Sequence, residues 1–512
     1  MNLKQLLDSN IETFGKYDVI HFRQRSYTNL ETKEISESLA AGLQSMGIGS
    51  GDKVMVIMPN CPEVIFAYQG IIRAGAVIIP VMFTLHPKEI HYILSNSDVK
   101  AVITSAFVIE KVREAIKGLG VKPAIIAVDM PAGVNIRSFS DVLKHPADGT
   151  GKNNVTISEN DTAVILYTSG TTGSPKGVIL THKNLYSNAA NSAKHNETER
   201  GTTLGVLPLA HVYGLTMSNI CFLTGGSVVV FPAFNPAEIF AAIEKYKVKS
   251  FSAVPAMIHA LLSYPDSENY DTSSLEWVGS GSAPLPVALL QAFQEKFKAK
   301  VYEGYGLSEA APVVTSHRKN RPIKPGSVGI PIPGVEVRIV DEDGVEVPAG
   351  EVGELVVRGD NVTKGYYERP DETEKILKDS WLHTGDMARM DEEGYVFIVD
   401  RKKDLIIRGG FNIYPRDVEE ILNGHEAVSE AAVVGVPDER MGEEMVACIV
   451  KKNGSSVSEE ELLLYCQDHL AINKTPRKVV FMEALPRNGV GKILKTQLRK
   501  AAANIVQPFG QE

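Results

Sequence analysis

The sequence contains few cysteines, and their spacing matches no disulfide or metal-binding pattern. Only four occur in 512 residues, at positions 61, 221, 448 and 466, and none forms a CxxC pair. Four thiols in so long a chain indicate reduced, buried side chains rather than a disulfide framework. The twelve histidines include no HExxH pattern, which argues against a catalytic zinc ion.

Long apolar runs and blocks of basic residues are absent as well. The longest apolar stretch, residues 74–83, includes Gly75 and Pro80 and falls well short of the ~20 residues that cross a bilayer. The amino terminus lacks the apolar segment and cleavage site of a secretory signal. With 53 Lys and Arg against 62 Asp and Glu, the net charge is −9, which disfavours a nucleic-acid binder. We therefore expect a cytoplasmic protein without an integral membrane segment.

The composition is that of a globular protein, with 44% hydrophobic and 22% charged residues. Short β-rich runs alternate with helical patterns through the first half of the chain, which predicts a mainly parallel sheet covered by helices. The predicted strands are 53–58, 76–81, 99–104, 227–231 and 250–254, and the predicted helices between them are 62–73, 87–95 and 236–246.

The pattern changes near residue 326. Turn clusters at 341–344, 348–350 and 391–394 separate short strands, which predicts an antiparallel β subdomain over 326–399. A charge cluster at 400–404 follows. The remaining residues predict a compact α+β domain with helices at 415–423 and 458–470 and strands at 430–436, 445–451 and 478–481. We expect a large α/β domain over 1–400 and a second domain over 401–512.

The most informative segment is 167–178, between a predicted strand at 162–166 and a helical pattern that starts near Thr181. Its three glycines leave backbone N–H groups open to an anion, its hydroxyls add donors, and Lys176 adds a positive charge. A flexible Ser/Gly loop is the alternative. The GxxxxGK[ST] and GxGxxG patterns and the protein-kinase signatures are absent, so the segment indicates a triphosphate site of another kind.

Together with an ordered series of later motifs, this loop gives the sequence a resemblance to the adenylate-forming enzymes. That family includes acyl-CoA synthetases, adenylation domains of peptide synthetases, and beetle luciferases, and the resemblance extends from about residue 10 to residue 500. The later motifs lie at 207–214, 279–284, 305–309, 353–355, 381–386, around Arg401 and at 485–493.

The resemblance implies a two-step reaction on a small carboxylic acid. The carboxylate attacks the α-phosphate of ATP with loss of pyrophosphate, and the thiol of coenzyme A then displaces AMP from the acyl-adenylate. ATP, Mg²⁺ and coenzyme A are the implied cofactors and co-substrates. A luciferase-like oxygenase and a nucleotide-binding protein without turnover are alternatives from other classes; the second would lose Lys492 or Glu309, and both are present.

The nucleotide site follows residue by residue from the resemblance. Glu309 and Thr168 would bind Mg²⁺, Ser308 would contact the α-phosphate, Asp386 and Arg401 the ribose, and Glu303 and Tyr305 the adenine. The remaining implied nucleotide contacts are Ser169, Gly170, Thr171, Thr172, Gly173, Lys176, Gly281, Ser282, Ala283 and Gly304. Taken singly, several have a structural alternative: Asp386 as a turn residue, Tyr305 as a buried strand residue, Arg401 as solvated surface.

Lys492 is the implied catalytic residue of the first step. Its ammonium would lie between the substrate carboxylate and the α-phosphate, where it stabilises charge that moves toward the leaving group. Asn488 and Val490 stand where the family commonly has threonine and serine. For the second step, the family's small domain swings about a hinge, here Lys403, and brings Gly409 and Gly410 to the pantetheine tunnel, so the domain over 401–512 is expected to be mobile.

The acyl pocket is implied at His211, Val212, Tyr213, Gly214, Met217, Val254, Ser282 and Gly306. His211 is expected to act as a gate or wall rather than as a base, because a carboxylic acid is already ionised at neutral pH. None of these residues is Arg or Lys, which favours an acid with an apolar tail. A medium- to long-chain fatty acid is the first expectation. A benzoate- or coumarate-type acid and loading of a separate carrier protein are alternatives, and a homodimer is left open.

Overall fold

A computed structural model describes residues 1–131, 133, 135–144, 155–168, 175–487 and 493–505, with only the backbone described at 504 and 505. The chain forms two compact units: Met1–Val337 with Val357–His383, and Arg338–Val356 with Thr384–Glu512. They are named here the large unit and the small unit. The division at residue 401 and the subdomain limits of 326–399 stay predictions.

The main sheet of the large unit is parallel up to its last strand. Its strand order is Ile136–Ser138, Ala124–Ala127, Val99–Thr104, Lys53–Ile57, Val77–Pro80, Thr162–Thr168, Lys176–Thr181. Apolar side chains on both faces of the central strands are buried, as parallel sheets covered by helices require. The predicted α/β fold class is confirmed.

The last strand of this sheet corrects one prediction. The loop predicted over 167–178 was expected to lead into a helix from near Thr181, but Lys176–Thr181 forms a strand antiparallel to Thr162–Thr168. The β-branched residues Val178 and Ile179 suit a strand. Gly177 allows the close approach, because a Cβ atom there would lie 2.7 Å from Cγ2 of Ile165. The predicted helix follows as His182–His195, capped by Thr181.

Two further sheets and the surrounding helices complete the large unit. One sheet has the order Thr202–Gly205, Ser227–Val230, Asp18–Phe22, Arg25–Thr28, and the other Ser250–Ala253, Trp277–Ser280, Lys300–Gly306, Val313–Ser316, Ile330–Pro331. The other helices are Leu3–Phe14, Asn29–Ser45, Pro62–Arg73, Pro87–Ser97, Ile109–Ala115, Phe139–Val142, Val212–Thr224, Pro236–Tyr246, Pro255–Leu262, Val287–Phe297 and Pro370–Ile376, with 3-10 turns at Pro265–Asn269 and Ser308–Ala310.

The small unit contains the predicted α+β pattern. Its main sheet has the order Phe411–Ile413, Ile406–Arg408, Gly442–Lys451, Val428–Asp438, and Lys478–Phe481 pairs in parallel with Gly442–Lys451. Its helices are Pro415–Gly424, Glu459–His469 and Lys495–Ile505, with 3-10 turns at Lys402–Asp404 and Ile472–Lys474. The strands of the turn-rich region are divided between the two units, with Leu377–Lys378 in the large unit and Val396–Arg401 in the small unit; the others are Val335–Val340, Gly353–Gly359 and Trp381–Met390.

The described residues also bear on the expectations about membranes and cysteines. Within them, no helix combines the length and the apolar character needed to cross a bilayer. All four cysteines carry free thiols; Cys221, Cys448 and Cys466 are buried and Cys61 is partly buried.

Candidate active site

Lys176 lies at the start of its strand, with Thr168 opposite it at the end of the neighbouring strand. Ser169, Gly170, Thr171, Thr172 and Gly173 lie outside the described residues. The Lys176 ammonium forms an ion pair with Glu372 and lies 5.2 Å from the ring centroid of Tyr366. The hydrogen bond from Lys176 lowers the pKa of Glu372, so this carboxylate stays ionised beside the lysine.

Glu309 lies in the 3-10 turn Ser308–Ala310, with Ser308 half-buried beside it. The hydroxyl of Tyr366 donates a hydrogen bond of 2.8 Å to Oε1 of Glu309. The backbone N–H of Thr363 donates another, also 2.8 Å, to the Glu309 carbonyl oxygen. Burial, and then the adjacent Glu309 charge, raise the pKa of Tyr366, which keeps its hydroxyl protonated as a donor. One tyrosine therefore contacts both Lys176 and Glu309.

These groups fit a magnesium ion bound with a nucleotide. Glu309 has two carboxylate oxygens, and the Tyr366 hydrogen bond occupies a single acceptor position on one of them. Among the described residues, no cluster of three or more His, Cys, Asp or Glu could hold a metal ion. Mg²⁺ typically takes one or two carboxylates and completes its shell with phosphate oxygens and water. The residues are thus suited to hold a metal ion together with a nucleotide.

Glu303, Gly304, Tyr305 and Gly306 end the strand Lys300–Gly306. Glu303 is only 5% exposed, and its Oε1 accepts a hydrogen bond from the Leu285 N–H at 3.4 Å. Gly306 is required by packing, because a Cβ atom there would lie 2.2 Å from the Pro312 carbonyl oxygen. The predicted adenine-binding segment is therefore fixed by its surroundings.

Gly281, Ser282 and Ala283 follow the neighbouring parallel strand Trp277–Ser280, in which Ser280 is paired with Glu303. Because parallel strands end at the same edge of a sheet, the two predicted nucleotide segments lie together. A Cβ atom on Gly281 would be 3.4 Å from the Gly304 carbonyl oxygen. Ser282, exposed with a φ of +71°, turns the chain away from the strand.

Five of the predicted acyl-pocket residues lie at or near the start of the helix Val212–Thr224: His211, Val212, Tyr213, Gly214 and Met217. His211 caps this helix through Nδ1, which accepts a hydrogen bond of 3.2 Å from the Tyr213 N–H. Burial lowers the pKa of His211, so its imidazole is neutral near pH 7. The Tyr213 hydroxyl is 2.6 Å from the Ser252 hydroxyl. This contact ties the helix to the strand that precedes Val254, while Met217 lies one turn beyond Tyr213 on the same face.

Gly214 permits the close packing of that helix. A Cβ atom at this position would lie 2.6 Å from Cα of Leu209 and 2.6 Å from the carbonyl oxygen of Pro208. Both neighbours are backbone atoms, which cannot move aside as a flexible side chain can. A larger residue at 214 would therefore displace the start of the helix and the His211 cap.

In the small unit, Asp386 and Arg401 are paired across two antiparallel strands. Arg401 Nε lies 3.3 Å from Oδ1 of Asp386. The residue Asp386 is buried, with 5% of its surface exposed. The Asp386 N–H donates a hydrogen bond of 3.1 Å to the Thr384 hydroxyl. This bond fixes the backbone that carries the Asp386 side chain. The two residues predicted to bind the ribose are therefore neighbours.

Lys403 lies in the turn Lys402–Asp404, beside Arg401. Although the residue is exposed overall, partial enclosure of its amine, followed by the nearby Arg401 charge, lowers the pKa of Lys403. Arg499 closes this turn, since its guanidinium donates to Oδ1 of Asp404 at 2.7 Å and to the Lys403 carbonyl oxygen at 3.4 Å. The hinge role of Lys403 stays a prediction.

Gly409 and Gly410 form the tight turn between the strands Ile406–Arg408 and Phe411–Ile413. Their φ angles are +57° and +82°, a combination that two-residue hairpins need and that glycine adopts without strain. A Cβ atom on Gly410 would meet nothing within 4 Å. The turn alone accounts for both glycines, and a role beside coenzyme A stays a prediction.

Lys492 lies outside the described residues, but the chain on either side is held in place. Arg487 and Ile493 form an antiparallel bridge, and the Leu494 N–H donates to the Pro486 carbonyl oxygen at 2.8 Å. Lys495, at the start of the last helix, forms an ion pair of 2.8 Å with Glu419.

Three residues of this site were not predicted from the sequence: Tyr366, Glu372 and His317. His317 accepts a hydrogen bond of 3.1 Å from the Glu303 N–H through Nδ1. Tyr366 and Glu372 contact residues far away in the chain, and His317 reaches Glu303 through strand pairing, so no local pattern indicates their roles. Gly365, Tyr366 and Tyr367 belong to none of the motifs that carry the family resemblance.

Comparison with known proteins gives matches over nearly the whole chain. Residues 7–367 match the family model of the AMP-binding enzyme, and 417–492 match that of the AMP-binding enzyme C-terminal domain. A long-chain-fatty-acid–CoA ligase of Bacillus subtilis (strain 168) is 37% identical, with 97% of this chain and 94% of that protein covered. A feruloyl-CoA synthase of an Amycolatopsis species is also 37% identical, over 90% of this chain and 91% of that protein. Among solved structures, ATP-bound MatB from Rhodopseudomonas palustris superposes with a TM-score of 0.90 and 30% identity, over 99% and 100% of the two chains.

Proposed function

We propose that this chain, which belongs to the AMP-binding enzyme family and to its acyl-CoA synthetase branch, is an acid–CoA ligase that activates a medium- to long-chain fatty acid. The single observation that supports the nucleotide chemistry best is the cluster in which Tyr366 contacts both Lys176 and Glu309. In this cluster the Lys176 ammonium lies 5.2 Å from the centre of the Tyr366 ring, and the Glu309 carboxylate accepts a hydrogen bond from the Tyr366 hydroxyl. This arrangement supports the roles proposed for Lys176 in phosphate binding and for Glu309 in metal binding.

In the first step, a carboxylate oxygen of the acid forms a bond to the α-phosphorus of ATP. The bond from that phosphorus to the bridging oxygen breaks, and pyrophosphate leaves with the electron pair. Such transfers depend on positioning and on neutralisation of charge, with little covalent work for the protein. Lys176 and Lys492 would neutralise phosphate charge, and Glu309, with the Thr168 hydroxyl, would hold Mg²⁺, which supplies further neutralisation when bound.

In the second step, the sulfur of coenzyme A bonds to the acyl carbon, the bond from that carbon to the AMP oxygen breaks, and the thiol proton is released to solvent. We propose that the domain over 401–512 moves about Lys403 between the two steps, so that Lys492 serves the first and the Gly409–Gly410 turn serves the second. Asp386 and Arg401, paired at 3.3 Å, would contact the ribose of the nucleotide.

The fatty acid is favoured by the character of the acyl pocket. His211 is neutral because burial lowers its pKa, and the Tyr213 hydroxyl is already bonded to Ser252. No charge is therefore available from Tyr213, Met217 or Val254 to pair with a second carboxylate of a substrate. Since the fatty-acid and feruloyl relatives are equally identical to this chain, an aromatic acid is the second candidate.

A substrate panel tests the proposal. Purified protein would receive ATP, Mg²⁺ and one of octanoate, dodecanoate, palmitate, benzoate or 4-coumarate, with coenzyme A, with a carrier protein, or with neither. We expect AMP and pyrophosphate with the fatty acids and a thioester of coenzyme A. A preference for 4-coumarate would replace the fatty acid by the aromatic candidate, whereas no AMP with any acid would contradict the ligase itself. We also propose a cytoplasmic location, which the four free thiols support.

A further inference from the structure

We infer that Tyr366 is a positioning residue that orients the Glu309 carboxylate toward the metal ion of the nucleotide. The inference rests on the proposed function, because it needs Glu309 to be the metal ligand. Tyr366 would touch neither the metal nor the substrate; it would act through Glu309.

The contacts of the segment around Tyr366 are the first support. Its residues are bound on one side to the strand that begins at Lys176: the Ile179 N–H donates to the Gly365 carbonyl oxygen at 3.0 Å, and the Tyr367 N–H to that of Gly177 at 2.7 Å. Tyr366 itself forms a bridge with Val178. The segment is thus fixed to the strand that carries the phosphate-binding lysine.

On its other side, the same segment holds the turn that carries Glu309. The Thr363 N–H donates to the Glu309 carbonyl oxygen at 2.8 Å, and the Asn361 side-chain amide donates to the Ala310 carbonyl oxygen at 2.9 Å. Asn361 is 1% exposed. The backbone of Glu309 therefore has little freedom, and the Tyr366 hydroxyl fixes the remaining part, the carboxylate group.

The chemistry of the hydrogen bond is the second support. A metal-binding carboxylate that accepts a hydrogen bond on one oxygen presents the other oxygen in a defined direction, and loss of such a supporting bond typically lowers metal affinity or activity by about 10- to 100-fold. The Tyr366 hydroxyl is the donor of this bond and the Glu309 carboxylate can only accept it, at 2.8 Å. The Lys176 ammonium also lies 5.2 Å from the centre of the Tyr366 ring, so one side chain contacts both Lys176 and Glu309.

The test compares Tyr366→Phe with Tyr367→Phe. Both remove one hydroxyl from adjacent residues of one segment, but Tyr367 has its ring beside Lys53, at 5.5 Å, rather than beside Lys176. The probe is Mn²⁺ with the non-hydrolysable analogue α,β-methylene-ATP, followed by electron paramagnetic resonance, and no acid substrate is needed. We expect the dissociation constant of Mn²⁺ from the ternary complex to rise about 10-fold in Tyr366→Phe and to stay unchanged in Tyr367→Phe. Thermal melting of both variants checks that the fold is intact.

A double-mutant cycle separates positioning from general packing. If Tyr366 acts through Glu309, Tyr366→Phe should weaken Mn²⁺ binding in the wild-type background and have no further effect on Glu309→Gln. Additive losses, equal losses in the two tyrosine variants, or unchanged binding in Tyr366→Phe would each overturn the inference. Failure of the proposed function would look different: the wild-type protein would form no AMP from any acid, whatever the metal titration shows.

Discussion

In the large unit, residues from distant parts of the chain meet around Tyr366, whereas in the small unit the predicted residues lie on hairpins and turns built by neighbouring residues. Lys176, Glu309 and Glu372 come from three separate segments. Asp386 and Arg401 face each other across one strand pair, and Gly409 and Gly410 form one hairpin turn. A site assembled from distant segments exists only when the whole unit is folded. A locally built one keeps its geometry when the element that carries it moves, as the proposed domain movement requires.

The largest effect is expected at Lys492, which is proposed to serve only the first of the two reaction steps. Lys492→Ala should lower the rate of adenylation by about 10²- to 10³-fold or more, because the transition state loses a donor that stabilises its charge. Thioester formation from supplied acyl-adenylate should survive. Pyrophosphate release and thioester formation would be measured separately.

Lys500→Ala is the control for that variant, since Lys500 is an exposed lysine on the helix that follows. Equal loss of both half-reactions in Lys492→Ala would refute the division of labour between Lys492 and the Gly409–Gly410 turn.

The next effect concerns the turn in the small unit. Gly410→Leu should slow thioester formation by about 10²-fold through displacement of the reacting groups, while adenylation is spared. Gly454→Leu is a matched control: Gly454 also has a φ of +82°, and a Cβ atom there also meets nothing within 4 Å. It reproduces the backbone strain without the proposed tunnel. If the two variants slow thioester formation alike, strain explains the effect and the tunnel assignment is wrong.

A smaller effect is expected in the large unit, at the ion pair between Lys176 and Glu372. Lys176 and Glu372 form an ion pair, so ATP phosphates would have to compete with Glu372 if Lys176 binds them as proposed. Glu372→Gln should therefore lower the KM for ATP by about 2- to 5-fold, the range expected for a partly exposed ion pair. Glu374→Gln, an exposed position on the same helix, should have no effect. A raised KM in Glu372→Gln would mean that the carboxylate positions the lysine instead of competing for it.

A further prediction concerns the pH dependence of stability. Burial lowers the pKa of His317 to about 4, so the unfolded chain binds a proton near pH 6.5 that the folded chain does not bind until about pH 4. Stability from this group should be complete above pH 6.5 and should fall by about 1.4 kcal/mol per pH unit as the pH drops toward 4. His317→Gln should make that decline shallower.

Urea unfolding of the large unit at pH 7, 6 and 5 would measure this slope. His259→Gln, at an exposed histidine of the helix Pro255–Leu262, is the control and should leave the slope as it is. An unchanged slope in His317→Gln would show that protonation of His317 does not weaken the folded state.

The strands and helices of both units were largely predictable from the sequence. The helices Pro62–Arg73 and Pro236–Tyr246 begin and end at the predicted residues, because a proline in the first turn and an apolar periodicity fix them locally. The strand Lys176–Thr181 was missed, because Gly177 beside the Ser/Gly segment looks like a loop until Thr162–Thr168 pairs with it. The hydrogen bonds of the strand Lys176–Thr181 depend on its partner strand, and the local composition of the sequence does not reveal that pairing.

The sequence by itself determined the α/β class and, through an ordered series of motifs, the family and its reaction type. Through the same resemblance it predicts which charged residues would bind the nucleotide, and those roles stay predictions. Only the tertiary structure decided that Tyr366 joins Lys176 to Glu309 and that His317 supports Glu303. The Tyr366 contacts join segments that are far apart in the chain, and His317 reaches the Glu303 backbone because the strands Lys300–Gly306 and Val313–Ser316 pair. Such contacts depend on how strands and connecting segments pack, which no local pattern of residues encodes.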